Sequence, residues 1–314
     1  MALKPIFTII GATASGKTKI SVELAKLLNG EIIGLDSRQI YRGMSIGTAQ
    51  PAKEDMDGIP HHLFGFREAS KPISAGEYAN LVRERVAEIQ SDGKVPIICG
   101  GAGLYYRALT KGIFEGSVSD LPTRGRLEQA YEQNPVALLE RLKSIDPHYA
   151  EMVHINNKKR LIRALEIYKT TGKPPSEHFR LQEEQPGKTL ELFTILLSWD
   201  RDMLIERIEH RTDAMLEKGW IEEVKTLLVK QKEIGMPFPA LDSIGYRQIQ
   251  SWLKNEISFE EMREEIVVRT RQFSRRQIQW FRKENIDLNV EMDHLNPRII
   301  SEIIGDIYRM IYGN

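Results

Sequence analysis

Four short runs of apolar residues stand out along the chain. They are Ile6-Phe7-Thr8-Ile9-Ile10, Glu31-Ile32-Ile33-Gly34-Leu35, Val95-Pro96-Ile97-Ile98-Cys99 and Leu192-Phe193-Thr194-Ile195-Leu196-Leu197. Near-continuous β-branched and aliphatic runs of this length predict strands buried on both faces. Between them the period changes to that of a helix. Ile20, Leu24, Leu27 and Leu28 form one stripe, and Tyr78, Leu81, Val82, Val86 and Ile89 form another within Ser74 to Gln90. Ser74 and Glu77 have the spacing of a capping box at the start of the second. Ala102 to Leu109 reads as a further helix. Strands alternating with helices predict an α/β fold built on a doubly wound parallel sheet, with ligands at the carboxyl ends of the strands.

The texture changes near Gly112. Strand-like runs vanish, and helices with charged faces are expected through Leu127 to Leu142 and Lys158 to Lys169. Thr171-Gly172-Lys173-Pro174-Pro175 has the Gly-then-Pro order that stops a helix. Leu192 to Leu197 then returns the chain to the sheet. The expected organisation is therefore residues 1–112 as the first part of the core, 113–189 as a helical insertion, and 190–314 as a return strand followed by a helical C-terminal region. After Asp200 the pattern is helical almost to the end. Ile205 to Glu217 carries Arg207 and Arg211 four apart on one face, where pairing with Glu206 or Glu209 is the plain alternative to a functional role. Glu260 to Lys283 reads as one long helix with Ile266, Thr270, Phe273, Trp280 and Phe281 as its buried stripe. Seven basic residues against two acidic ones lie between Met262 and Lys283. That makes a local surface fit for phosphates.

The local charge matters because the chain as a whole offers none. Its 314 residues include 44 basic and 44 acidic side chains, so no global field advertises nucleic acid. A single cysteine, Cys99, excludes a disulfide framework. Without an apolar stretch of membrane-spanning length or a signal-peptide pattern, the expectation is a soluble, cytoplasmic protein without a membrane partner, read as a monomer. His61 and His62 are adjacent, would point apart on a strand, and are read as structural rather than metal-binding.

The chemistry concentrates after the first strand. Gly11-Ala12-Thr13-Ala14-Ser15-Gly16-Lys17-Thr18 fits G-x-x-x-x-G-K-[ST], the phosphate loop, with a strand before it and a helix opening inside it. Such a loop curls backbone N–H groups around an anion at a helix N-terminus. Lys17 would add a point charge, and the Thr18 hydroxyl would ligate Mg²⁺. The fold class is thus P-loop NTPase-like. Two other strands end in candidate site residues, Asp36-Ser37 and Gly100-Gly101. A phosphate-loop kinase normally needs a second acid for Mg²⁺, and the strand ending at Cys99 supplies none. Asp36 could accept a proton from an attacking hydroxyl, as in a kinase, or from an attacking amine, as in another transferase. The residues alone leave both open.

Several stretches together resemble the tRNA dimethylallyltransferase (tRNA isopentenyltransferase) family of bacterial type. They are Gly11 to Thr18, Asp36-Ser-Arg-Gln-Ile-Tyr41, Gly43-Met-Ser-Ile-Gly-Thr-Ala49, Gly100-Gly-Ala-Gly-Leu-Tyr105, Lys159-Arg-Leu-Ile-Arg-Ala-Leu-Glu166, Thr171-Gly-Lys-Pro174, Ile208-Glu-His-Arg211 and Ser243-Ile-Gly-Tyr-Arg-Gln248. The resemblance implies transfer of a dimethylallyl group from dimethylallyl diphosphate to the exocyclic amine of the adenosine 3′ of the anticodon. It implies that residues 11–18 hold the diphosphate with Mg²⁺, and that Lys17 and Arg211 stabilise the leaving group while Asp36 takes the amine proton. It further implies tRNA contacts from Asp36, Ser37, Arg38, Gln39, Ala102, Arg124, Lys159, Arg160, Arg163, Arg247 and Gln248, with the insertion gripping the anticodon stem-loop. Three positions depart from the family pattern: Ala12 for Pro, Ala102 for Thr, and Lys159 for Gln. An adenylate isopentenyltransferase, a small-molecule kinase and a non-enzymatic RNA-binding module are the competing readings. The insertion and basic helix speak against the first, ATP turnover would mark the second, and Asp36 beside an intact phosphate loop argues against the third.

Overall fold

The structure, a computed structural model, describes residues 5–112, 120–184, 189–293 and 296–313. The expected boundary at residue 113 falls outside them. Two compact units are present, one comprising Met1–Ile73, Glu77–Tyr106 and Leu190–Asn314, the other Ser74–Gly76 with Arg107–Thr189.

The first unit is built on β1 (Ile6–Gly11), α1 (Lys17–Leu28), β2 (Gly30–Leu35), α2 (Lys53–Met56), β3 (His61–His62), α3 (Ala75–Ser91), β4 (Val95–Gly100) and α4 (Gly103–Thr110). With β5 (Leu192–Ser198) and β6 (Leu288–Glu291) from later in the chain, its six strands pair in parallel in the order β3-β2-β4-β1-β5-β6. All six residues of β1 and of β2 are buried, which is why their sequences do not alternate. Ile9 lies in register with Cys99 on one side and Ile195 on the other. The chain leaves β1 for β2 in one direction and later enters β5 in the other, so the strand order reverses at β1. Its carboxyl end is where a ligand crevice belongs. His62 pairs with the buried carboxylate of Glu31 at 2.6 Å, and Lys94 binds the same carboxylate.

The second unit is helical. It holds α5 (Leu121–Gln133), α6 (Pro135–Ile145), α7 (Pro147–Glu151), α8 (Lys158–Thr171) and α9 (Pro175–Glu184). The helical stretch expected over Leu127 to Leu142 is two helices. Pro135 cannot donate a backbone bond and so begins a helix, while the Asn134 side chain caps it by accepting from Ala137 N–H at 3.0 Å. Leu127, Leu138, Leu142, Leu161 and Leu165 make this unit's own core. The Glu166 carboxylate is buried beside them. It accepts from Asp120 N–H at 2.9 Å, Arg124 Nη2 at 2.8 Å and Arg163 Nη1 at 2.7 Å.

The chain then forms β5 (Leu192–Ser198), α10 (Arg201–Glu217), α11 (Trp220–Ile234), a 3₁₀ turn at Pro239–Asp242, α12 (Tyr246–Leu253), α13 (Phe259–Phe281), β6 (Leu288–Glu291) and α14 (Pro297–Tyr312). Ile300 and Ile304 of α14 join Ile20 and Leu24 of α1 against Phe7, Ile32 and Ile97 in the main core.

Two expectations for this stretch need correction. It is not helical throughout, because β6 adds a parallel edge strand beside β5. Only Leu288 and Val290 of its four residues are apolar, too little pattern to predict it. The buried stripe of α13 also differs. Met262, Ile266, Val267 and Phe281 are buried, but so are Ser274 and Gln277, whereas Phe273 is 38% exposed. Gln277 occupies the inward row because backbone polar groups, Thr13 N–H and Gly101 O, lie opposite it.

The Glu166 cluster generates a prediction. Burial pushes the carboxyl upward, but hydrogen bonds and charge from Arg163 and Arg124 outweigh this and hold it below its ordinary 4.5. Its stabilisation is therefore fully present above pH 4.5 and is lost as pH falls through the lower folded value. Removing one member of a buried ionic cluster costs about 3–5 kcal/mol. Both arginines still reach water, which places Glu166→Ala at about the low end of that range. Urea unfolding at neutral and acid pH should show this loss at pH 7 and a smaller acid dependence in the variant than in the parent.

Candidate active site

The loop after β1 is shaped by what crowds it. A Cβ on Gly11 would stand 2.8 Å from both Leu197 O and Ser15 Oγ. Gly16 has φ +89° at the cap of α1, a conformation that costs a side-chain-bearing residue about 1–2 kcal/mol. α1 starts at Lys17, so its first N–H groups lack intrahelical partners and face the loop. The Lys17 ammonium folds back onto the loop, donating to Ala12 O at 2.6 Å and Gly11 O at 3.2 Å. Burial lowers its pKa from 10.5 to about 8, with Arg211 adding to the fall and Cys99 and Asp36 opposing it.

Side chains from distant elements hold the loop. Arg211 Nη1 donates to Thr13 Oγ1 at 3.0 Å, and Arg207 Nε donates to Ala14 O at 2.9 Å. The two arginines lie one turn apart on α10 and face the loop, not the acids of their own helix. The Arg207 guanidinium also lies 4.2 Å over the Trp199 ring, and Trp199 Nε1 donates to Ser15 O at 2.9 Å. From α13, Gln277 accepts from Thr13 N–H at 2.8 Å.

Asp36 follows β2 and is partly exposed. Its Oδ1 accepts from Arg38 N–H at 2.7 Å and Gln39 N–H at 3.3 Å, an Asx turn. The carboxylate acts electrostatically on both Lys17 and Arg211, so acid, lysine and arginine share one neighbourhood. Leu35 O, one residue earlier, accepts from Gly101 N–H at 3.0 Å and Ala102 N–H at 3.1 Å. A Cβ on Gly100 would stand 2.1 Å from Leu35 O. The carboxyl ends of β1, β2 and β4 are thereby brought together. Ser37 is partly buried and Arg38 exposed. The Gln39 amide donates to Thr48 O and Ala49 O at 3.1 and 2.6 Å and so shapes its own loop.

Trp220 and Glu223 on α11 were missed by sequence reading. A Cβ on Gly47 or on Gly245 would come within 2 Å of the Trp220 indole. Glu223 accepts from Ile46 N–H at 2.7 Å, Gly47 N–H at 3.0 Å and Tyr246 OH at 2.6 Å. Two of the quoted motifs, around Gly47 and Gly245, therefore meet on one helix. Their glycines were the available signal, since Gly47 needs no special backbone angle and so points to a close neighbour. Gln248 is 6% exposed, with Oε1 accepting from Gly245 N–H at 2.8 Å. Arg247 is exposed, 3.7 Å from Asp242.

In the helical unit, Arg124 and Arg163 both engage Glu166, Arg160 donates to Tyr149 OH at 3.1 Å, and Lys159 is exposed. In the first unit a cavity of about 940 Å³ flanks the phosphate loop between α10 and α13. Leu204, Ile208 and Ile278 line it, with Arg271, Arg275 and Arg282.

Among the described residues no three His, Cys, Asp or Glu side chains converge as a metal cage. Mg²⁺ fits what is present, because it keeps several waters and commonly binds through ligand phosphates with few protein oxygens. The Thr18 hydroxyl, in the first turn of α1 beside Lys17, suits that single protein contact.

A parallel sheet with a phosphate loop at its reversal point, two arginines closing on the loop and an acid at the end of β2, one strand beyond β4, defines a phosphate-loop α/β protein. The chain belongs to the IPP transferase family, whose model matches residues 39–284. It is 39% identical over 314 residues to the tRNA dimethylallyltransferase of Geobacillus thermodenitrificans, covering 98% of this chain and 96% of the relative. It is 42% identical over 286 residues to that of Acetivibrio thermocellus, covering 90% of each. Among solved structures, it resembles the full-length tRNA isopentenylpyrophosphate transferase of Bacillus halodurans, with TM-score 0.70 and 35% identity over 98% of this chain and 96% of the other. A eukaryotic dimethylallyltransferase acting on tRNA superposes with TM-score 0.82 at 27% identity over 98% of this chain and 79% of the other.

The depressed Lys17 pKa has a measurable sign. Unfolded Lys17 binds a proton at pH values between about 8 and 10.5 where the folded form does not, so ligand-free stability rises with pH across that window. Anion binding needs the ammonium. Affinity for an alkyl diphosphate should therefore fall as pH passes about 8, approaching about tenfold per pH unit. Calorimetry in buffers of different ionisation enthalpy should register proton uptake, and Lys17→Gln should abolish it.

Proposed function

We propose that this protein is a prenyltransferase that moves a dimethylallyl group from dimethylallyl diphosphate to the exocyclic amine of the adenosine immediately 3′ of the anticodon in tRNA. The products are isopentenyladenosine and diphosphate. The observation that carries this reading is the convergence of the carboxyl ends of β1, β2 and β4, where Leu35 O, next to Asp36, accepts from Gly101 and Ala102 N–H and the phosphate loop leaves β1, with glycines rather than a second acid at the end of β4. The names of its relatives support the substrate pair.

In this reading residues 11–18 hold the diphosphate. Lys17 leaves the carbonyls of Gly11 and Ala12 for the phosphate oxygens, and Arg211 turns from Thr13 to the leaving group. Both offset charge that grows as the allylic C–O bond breaks. Bound Mg²⁺, held by Thr18, would supply further positive charge to the diphosphate. The target adenosine leaves its stack, as a loop base can. As its nitrogen bonds to the allylic carbon it becomes cationic, and Asp36 takes the proton. The Asx turn fixes Oδ1 and leaves the second carboxylate oxygen for the amine.

RNA contacts are assigned to exposed Arg38 and Arg247, with Asp36, Ser37 and Ala102 at the strand ends. Gln39 and Gln248 act by shaping the segments that present them. Residues 113–189 form an RNA-binding insertion that uses Lys159 and Arg160. There Arg124 and Arg163 are organised by Glu166, so that their partly exposed heads serve as fixed cations. Arg275 and Arg276 on α13 add phosphate contacts. The protein works in the cytoplasm as a monomer, and among its described residues no helix is long and apolar enough to cross a membrane.

Incubation with labelled dimethylallyl diphosphate and bulk tRNA should move label into RNA, whereas ATP hydrolysis stimulated by a small acceptor would favour a kinase. Asp36→Asn keeps the turn and should bind both substrates within a few-fold, with single-turnover transfer reduced by about 10²–10⁴, the usual range for a lost general base. Near-parental transfer would reduce Asp36 to a turn residue. Plots of log affinity for tRNA against log salt should be steep. Arg275→Ala and Arg276→Ala should each lower the slope by about 0.7–0.9, and unchanged slopes would leave α13 a merely solvated face.

A further inference from the structure

Gln277 lies on α13, a helix dominated by arginines and glutamates, yet it is buried and both ends of its amide are engaged across the site. Oε1 accepts from Thr13 N–H of the phosphate loop at 2.8 Å, and Nε2 donates to Gly101 O at 2.9 Å. The assignment of the two ends is fixed by the partners, because one is a backbone donor and the other a backbone acceptor. The room for it is specific. A Cβ on Gly101 would stand 2.4 Å from Gln277 Nε2 and 3.0 Å from Gly11 O. Gly101 N–H in turn donates to Leu35 O, and Asp36 is the next residue. A continuous chain of hydrogen bonds thus runs from the loop through Gln277 and Gly101 to the strand end that carries the acid.

We propose that Gln277 is a positioning residue that sets the separation between the diphosphate held by the loop and the Asp36 carboxylate. The proposal rests on the transferase reading above. Two features make the amide the right group. It is neutral, so it does not compete with the substrate for Lys17 or Arg211. It also offers one donor and one acceptor side by side, matching Gly101 O and Thr13 N–H. A carboxylate would set an oxygen against Gly101 O, and an apolar side chain would leave both backbone groups without a partner. Thr13 N–H, drawn outward to Gln277, is withdrawn from the anion. Its role is to hold the loop in place while neighbouring N–H groups face the ligand.

The test is a double-mutant cycle on single-turnover transfer at saturating substrates, using full-length protein, Gln277→Met and Asp36→Asn. Label transfer by the parent is measured first, and its failure would count against the transferase reading rather than the clamp. With an active parent, Gln277→Met is expected to lose 10-fold or more in rate while affinities for tRNA and dimethylallyl diphosphate stay within about five-fold. In the Asp36→Asn background the same change should cost less than three-fold, because there is no longer a carboxylate to position. Equal losses in the two backgrounds, or a Gln277→Met rate within two-fold of the parent, would overturn the proposal. Should Gln277→Met fail to fold, Gln277→Glu replaces it. Its rate relative to the parent should rise as pH falls and the carboxyl gains the missing donor, and a ratio that stays low at every pH would overturn the proposal.

Discussion

A loop that turns its backbone N–H groups toward an anion has few of them left to bond to itself, so its shape must be held from outside. In this protein the holding is done by residues nearly two hundred positions or more away in the chain. Arg211, Arg207 and Trp199 bind Thr13, Ala14 and Ser15 from one side, and Gln277 binds Thr13 from another. The glycines at 11, 100 and 101 follow from the same constraint, because a side chain at any of them would strike a neighbouring strand end or one of these supports. The helices that follow β5 are thus tied to the eight residues of the loop.

The supports also explain how the charge is kept. Arg207, Arg211 and Lys17 are all drawn below their ordinary pKa chiefly by burial. Lys17 and Arg211 are partly buried and so incompletely solvated before a ligand arrives, whereas Arg207 is exposed. A ligand that brings negative charge meets cations that lose little water on binding, which makes their attraction larger than it would be at an open surface. Each of the three rests on an oxygen of the loop while it waits. Those oxygens are the acceptors that an anion entering the loop would displace or join.

The sequence disclosed the parts of the fold whose physics is local. β1, β2, β4 and β5 are continuous apolar runs because both faces are covered, and the parallel sheet they predict is present. β3, of two histidines, and β6, with two apolar residues in four, carry no comparable pattern. The phosphate loop was legible because its motif, strand and helix are contiguous. What supports it was not. Gln277 among arginines looks like any surface glutamine, and Phe273 looked buried because only its hydrophobicity, not what lay opposite, could be read. Arg124, Arg163 and Glu166 are 42 and three positions apart, and nothing local says that they converge. The placement of Asp36 beside Lys17 and Arg211 required the strand order, which no single motif contains.

The Trp220 indole filling the space left by Gly47 and Gly245 has a consequence for how the sequence can drift. Three positions separated by 173 and 25 residues, counting from Gly47 to Trp220 and on to Gly245, occupy one volume. A methyl group gained at Gly47 requires a smaller ring at 220 first, and a smaller ring at 220 opens a void beside Gly47. Either single step passes through a poorly packed intermediate. The three are therefore expected to be inherited as a set, and a lineage that escapes the tryptophan should show a side chain at position 47, because Gly245 has φ +85° and strains any side chain placed there.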